Sequence, residues 1–232
     1  MNSLQTNFRR HSYRWAVVTL LAAASLFCLL LVRWRFLAQP DTYSTYAFLI
    51  QNLLLAWIPL VIAMIVEGLT LPRKLAHAVL PVLVILWLLF FPNAPYLLTN
   101  FQHLRLYNDD PKLWLDVILV IWFVFTGFLV GLVSLHLMHR LVQRRLGRIA
   151  GWAFIAIASI LSGAGIFAGK FLRLRSWEVF LYPQQYLHRL TQQRAQVADP
   201  VAYIALYAAF ILFMYVLLYI FGSLLREDTE AP

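Results

Sequence analysis

Between Phe91 and Arg105 the chain reads Phe-Pro-Asn-Ala-Pro-Tyr-Leu-Leu-Thr-Asn-Phe-Gln-His-Leu-Arg, the most unusual stretch of the sequence, with two prolines among hydrogen-bonding side chains at the end of an apolar run. Pro92 and Pro95 each remove a backbone donor and disfavour helix in the residue before them, so no regular helix passes through. Asn93, Tyr96 and Asn100 can then serve a ligand that wants neutral donors and acceptors, helped by Thr99. His103 and, further on, Asp116 have the right groups for general acid and base work. Lys170, Arg173 and Arg175, with Glu178 close behind, have the spacing of an anion clamp. Asn52 is a polar residue inside an apolar stretch. A simpler reading competes at each position. The double-proline run can be a stiff capped turn, and an intramembrane asparagine usually bonds a neighbouring helix for roughly 0.6–2 kcal/mol. Asp116 can simply complement a helix N-terminus, and the bases can anchor headgroups.

The elements that must position these residues follow from composition. Of 232 residues, 62% are hydrophobic and 12% charged, with a mean hydropathy of +0.73. A soluble domain carries about 45–50% apolar and about 25% charged residues, so a soluble globule and a disordered chain are both excluded. Hydrocarbon about 30 Å thick needs about 20 apolar residues per helix, and six stretches qualify: 15–32, 46–66, 75–91, 113–138, 149–169 and 201–225. The expected fold class is all-α, a polytopic membrane helical bundle forming a single integral membrane domain over 1–232, with an interfacial amphipathic segment. That segment is Ser176–Asp199, too polar to cross and able to lie over the polar cluster. The double-proline bend is expected at the membrane surface, where water satisfies its backbone.

Net charge is +9. Because the bases flank apolar stretches, they read as topology signals and headgroup contacts, and no nucleic acid partner is expected. Arg33 and Arg35 directly follow the first span with no small-x-small site between, so that span reads as a retained helix. Ten bases fall on the side of the N-terminus and nine on the other. The short, basic, acid-free 139–148 loop tips the reading toward cytoplasmic termini. On this count the loops after the first, third and fifth spans share one face, bringing Asn52, Asn93, His103, Asp116 and Arg173 to one pocket.

Other features carry less. Cys28 is the only cysteine, so no intrachain disulfide forms. His136 and His139 lack a third ligand and make a poor zinc site; they read as interfacial histidines, and no metal, haem, nucleotide or other cofactor is expected. Gly127-x-x-x-Gly131 and Gly165-x-x-x-Gly169 permit close packing, between the fourth and fifth spans or in a homo-oligomer. Glu67 stands near Arg73 and Lys74 as a surface ion pair, and Pro59 and Pro81 suggest kinks.

The Pro-Asn-Ala-Pro-Tyr turn resembles that of the domain-of-unknown-function 1361 family of multi-pass membrane proteins. So do Asn52-Leu53-x-Leu55-Ala56-Trp57-Ile58-Pro59 upstream and Gly169-Lys170-Phe171-x-Arg173-x-Arg175-Ser176-Trp177-Glu178 downstream. The family pattern has an acid where Asn100 stands, an asparagine where Arg175 stands and an aspartate where Glu178 stands. The resemblance implies a multi-helix protein of a bacterial cell membrane and supplies no activity. The expected function is therefore an integral membrane protein whose polar site at one face takes an anionic or lipid-like ligand. The alternative is a membrane-embedded enzyme acting on a lipid-linked or phosphorylated substrate. Transport ranks below both, since the spans are nearly free of buried charge and no inverted repeat is visible.

Overall fold

The computed structural model describes residues 3–38, 43–69, 72–107, 113–171, 184 and 199–230, and contains no strand among them. Among the described residues the helices run in order α1 (Ser3–Ala38), α2 (Tyr43–Gly68), α3 (Arg73–Phe90), α4 (Asn93–Tyr96), α5 (Leu113–Leu146), α6 (Arg148–Phe171) and α7 (Pro200–Glu230). An eleven-residue 3₁₀ helix (Leu97–Tyr107) stands between α4 and α5. Among the described residues, six spans are long and apolar enough to cross a membrane. Backbone groups in hydrocarbon must be paired within the chain, which is why apolar runs of this length become helices. Pro59 and Pro81 lie inside α2 and α3 without ending either helix.

Antiparallel spans give the bundle two ends. The terminal end holds the start of α1, the end of α2, the start of α3, the end of α5, the start of α6 and the end of α7. The far end holds the rest. α5 is the axis, touching α1, α2, α4, α6 and the 3₁₀ helix. Two buried clusters surround it. Toward the far end, Cys28 and Val32 of α1, Leu49 and Leu53 of α2, Ala94 and Leu97 meet Leu119 and Phe123 of α5. Toward the terminal end, Leu60, Trp87, Phe91, Phe128, Leu135, Met138, Ile155 and Ile211 form the larger one. Trp87 ties α3 into it: its ring stacks on Phe91 at 4.5 Å, and its indole N–H donates to Ser134 Oγ at 2.7 Å. α5 and α6 are joined at Gly147, whose φ of 92° is the left-handed conformation that glycine adopts without a Cβ penalty.

The third span differs from the expected one. It does not end at Phe91 on the surface but runs, broken, from Ala78 to Gln102. α3 stops at Phe90, the chain turns through Phe91 and Pro92, and α4 and the 3₁₀ helix carry it on toward the far end. The turn is seated on glycines. A methyl added at Gly131 would come within 2.5 Å of the Ala94 Cβ, one at Gly165 within 2.7 Å of Pro92, and one at Gly127 would collide with Leu97. Gly131 stands near the middle of α5, about 27 Å from Leu113 and about 22 Å from Leu146 at 1.5 Å per residue. The expected surface bend is thus a break at mid-depth. It can sit there because α5 and α6, not lipid, cover it. These glycines accordingly admit the chain's own turn, which removes them as a ready surface for a second copy. Gly163 takes the close approach of α7, with the Ile204 carbonyl oxygen 2.5 Å from where a Cβ would be.

Candidate functional site

α1 continues past the end expected for it, so Arg35 is a helical residue in its last turn. Leu21, Cys28, Val32 and Arg35 fall on one face at helical spacing and all are buried. That face packs on α5, where Cys28 Sγ lies 3.8 Å from Thr126 Oγ1. Seven residues further along α1, Arg35 meets Asp116 in the first turn of α5. Arg35 Nε donates to Oδ1 at 2.6 Å and Nη2 to Oδ2 at 3.0 Å, with both side chains 1% exposed. From sequence, Arg35 falls in the connection after the first span and Asp116 reads as an acid–base group or the complement of a helix N-terminus. Both carboxylate oxygens are instead engaged by Arg35. The far ends of α1 and α5 therefore hold a buried bidentate ion pair that removes two ions from water together.

The break supplies the second group. Pro92 has no N–H to give the Leu88 carbonyl, and Asn93 partly repairs the helix end by donating from Nδ2 to the Phe90 carbonyl at 2.8 Å. Tyr96 N–H donates to the Pro92 carbonyl at 3.0 Å, and Thr99 Oγ1 to the Tyr96 carbonyl at 2.9 Å. Asn93 and Thr99 thus serve the capped-turn role in part. Asn100 does not. It is 2% exposed, and its Nδ2 has no hydrogen-bond partner. Tyr96 is half-buried and packs on the cluster shared with Tyr203 and Tyr207 of α7.

Depth relates the two groups. Asp116 and Gly127 are 11 residues apart, which places them within about 20° of one face of α5. Leu97 rests on Gly127. The 3₁₀ helix climbs about 6 Å from Leu97 to Asn100, while Gly127 to Asp116 spans about 16 Å. Asn100 therefore lies roughly 10 Å deeper than the ion pair, on the same side of α5.

The remaining expected residues divide three ways. Asn52 is half-buried on α2, and the α2 residues turned to the break and to α5 are its neighbours Leu49, Leu53 and Ala56. Lys170 is half-buried in the last turn of α6, at the far end. Arg173, Arg175 and Glu178 lie outside the described residues, as does the Ser176–Asp199 segment except Gln184 and Asp199, and His103 is described only as backbone within the 3₁₀ helix. Sequence reasoning missed Arg35. The signal available was its spacing from Cys28 and Val32, which continues the buried stripe of α1.

The terminal end departs from expectation as well. Glu67 pairs with Arg14 of α1 and, at 3.9 Å, with Arg144 of α5, while the side chains of Arg73 and Lys74 lie outside the described residues. His139 is fully buried, not interfacial: its Nδ1 lies 2.6 Å from the Tyr215 hydroxyl, which also lies 3.3 Å from His136 Nδ1. Trp152 and Tyr219 close the ring around it.

A family profile described as "Protein of unknown function (DUF1361)" matches residues 51–223, and the chain belongs to that family. The match takes in the broken span and Asp116 but begins after Arg35. No curated protein and no solved structure matches the chain.

Proposed function

We propose that this member of the family is a ligand-binding protein of a bacterial cell membrane, one integral domain with both termini in the cytoplasm. Its far end takes an anionic or lipid-like molecule. The observation that carries the reading is the Arg35–Asp116 pair, 1% exposed on both sides and placed where three connections emerge. Ionisable residues inside a membrane protein are costly and mark functional sites by default. Lys170 and the bases Arg173 and Arg175 stand in sequence at the same end, so an anionic headgroup there meets positive charge that the buried pair does not neutralise. Asn93, Tyr96 and Asn100 follow one another in the broken third span, and His103 and Glu178 complete the candidate set by their positions in sequence.

The test is to purify wild type and Arg173→Ala in mild detergent and identify copurifying lipids and small molecules by mass spectrometry. A species present with wild type and depleted at least several-fold in the variant supports the reading; identical profiles overturn it. A second reading is favoured by one observation, the break at mid-depth in the third span. Discontinuous spanning helices are a device by which transporters hold cargo at the midplane. Vesicles containing the protein would then move a fluorescent lipid between leaflets faster than protein-free vesicles.

A further inference from the structure

We propose that Asn100 recognises a neutral carbonyl oxygen at the head–tail junction of a bilayer lipid, an acyl ester and not the charged headgroup. This rests on the ligand-binding reading above.

Among the described residues, three buried side-chain polar atoms have no hydrogen-bond partner: Asn100 Nδ2, His139 Nε2 and Ser162 Oγ. Two of them have local escapes. A neutral imidazole presents one nitrogen as a bare lone pair, and His139 already uses Nδ1 with Tyr215. A helical serine hydroxyl can rotate toward the carbonyl one turn back, as Ser159 does toward Ile155 at 2.8 Å. Asn100 has neither escape. Its Nδ2 carries two hydrogens that must be donated, and a buried amide left without an acceptor is the costly case.

The class of acceptor follows from charge and depth. Asn100 is neutral, and the buried Arg35 guanidinium on α1 is matched by Asp116. An anionic oxygen drawn down to Asn100 would be a buried charge without a counter-ion. A neutral carbonyl oxygen carries no such penalty. Asn100 lies roughly 10 Å below Asp116, three residues after Leu97, which is buried in one apolar cluster with Leu119, Val120 and Phe123. That is the environment of acyl chains and their esters, with the headgroup left at the level of the ion pair. Access requires the covering segment to yield. The 3₁₀ helix that carries Asn100 has eleven residues, where runs beyond three or four are uncommon because the hydrogen bonds are poorly aligned, so it is a weak element to displace.

The full-length protein, stripped of lipid in detergent, is titrated with a diacyl phosphatidylglycerol. A second titration uses its dialkyl ether analogue, with the same headgroup and chain lengths. Native mass spectrometry reads an apparent Kd for each. Wild type is expected to prefer the ester by about 5- to 30-fold, the value of one satisfied buried hydrogen bond. Asn100→Leu, which removes the orphan donor at nearly constant volume, should bind both lipids with the ether affinity of wild type; Asn100→Met serves if the leucine variant does not fold. Equal affinities in wild type, or a preference that persists in the variant, overturn the assignment while leaving lipid binding intact. If wild type binds neither lipid, the ligand-binding reading itself falls and this one with it.

Discussion

At the terminal end Glu67 sits between Arg14 and Arg144, with side-chain exposures of 12%, 34% and 57%. At the far end Arg35 and Asp116 are each 1% exposed and bonded through both carboxylate oxygens. Water supports the first group whether or not its members meet, so the pairing there adds little beyond tying three helix ends loosely together. The second pair survives only as a pair, because neither ion can be hydrated alone. One end of the molecule therefore tolerates rearrangement of its charges, while the other fixes α1 on α5 in a single register.

Substitutions can sharpen or break that contrast. Asp116→Asn should have the largest effect, about 3–5 kcal/mol of lost stability, because it strands a buried guanidinium. Thermal unfolding in detergent measures it. The double variant Arg35→Met with Asp116→Leu should recover most of the loss, since removing both ions also removes their desolvation cost. Gly131→Leu should come next, at about 1–3 kcal/mol, by pushing Ala94 off α5. Gly222→Leu, at a position with open space around it, should stay within about 0.5 kcal/mol in the same assay. Ser134→Ala leaves the buried Trp87 indole N–H without an acceptor and should cost about 1–2 kcal/mol. Among the charged positions Glu67→Gln should be the mildest, under about 1 kcal/mol. A Glu67→Gln loss equal to that of Asp116→Asn would abolish the distinction between the two ends.

The helical content and the six crossings were legible because apolar runs near 20 residues admit no other outcome in lipid. Asp116 was legible too, as an acid beside an apolar run. Its partner was not, since Arg35 lies 81 residues away in the chain. An arginine just after an apolar stretch also reads as the end of that stretch. The prolines announced a break but not its depth. Depth depends on Gly127, Gly131 and Gly165, whose spacing reads equally well as helix against helix. Glu67 shows the same limit: the bases it meets, Arg14 and Arg144, lie 53 and 77 residues away in the chain. His139 looked interfacial because basic residues follow it, yet it faces inward to Tyr215. What a sequence leaves open here is which faces of which helices meet.

The glycine seats have a consequence for biogenesis. Residues 91–97 are translated before every residue that covers them in α5 and α6. During synthesis the double-proline segment therefore enters the translocon with its freed carbonyls lacking their eventual protein cover. Lipid is a poor host for such backbone. The nascent third span must remain shielded, by insertion machinery or by α2, until the ribosome has delivered the α5–α6 hairpin. Folding of this chain is thus gated by the order in which its parts emerge.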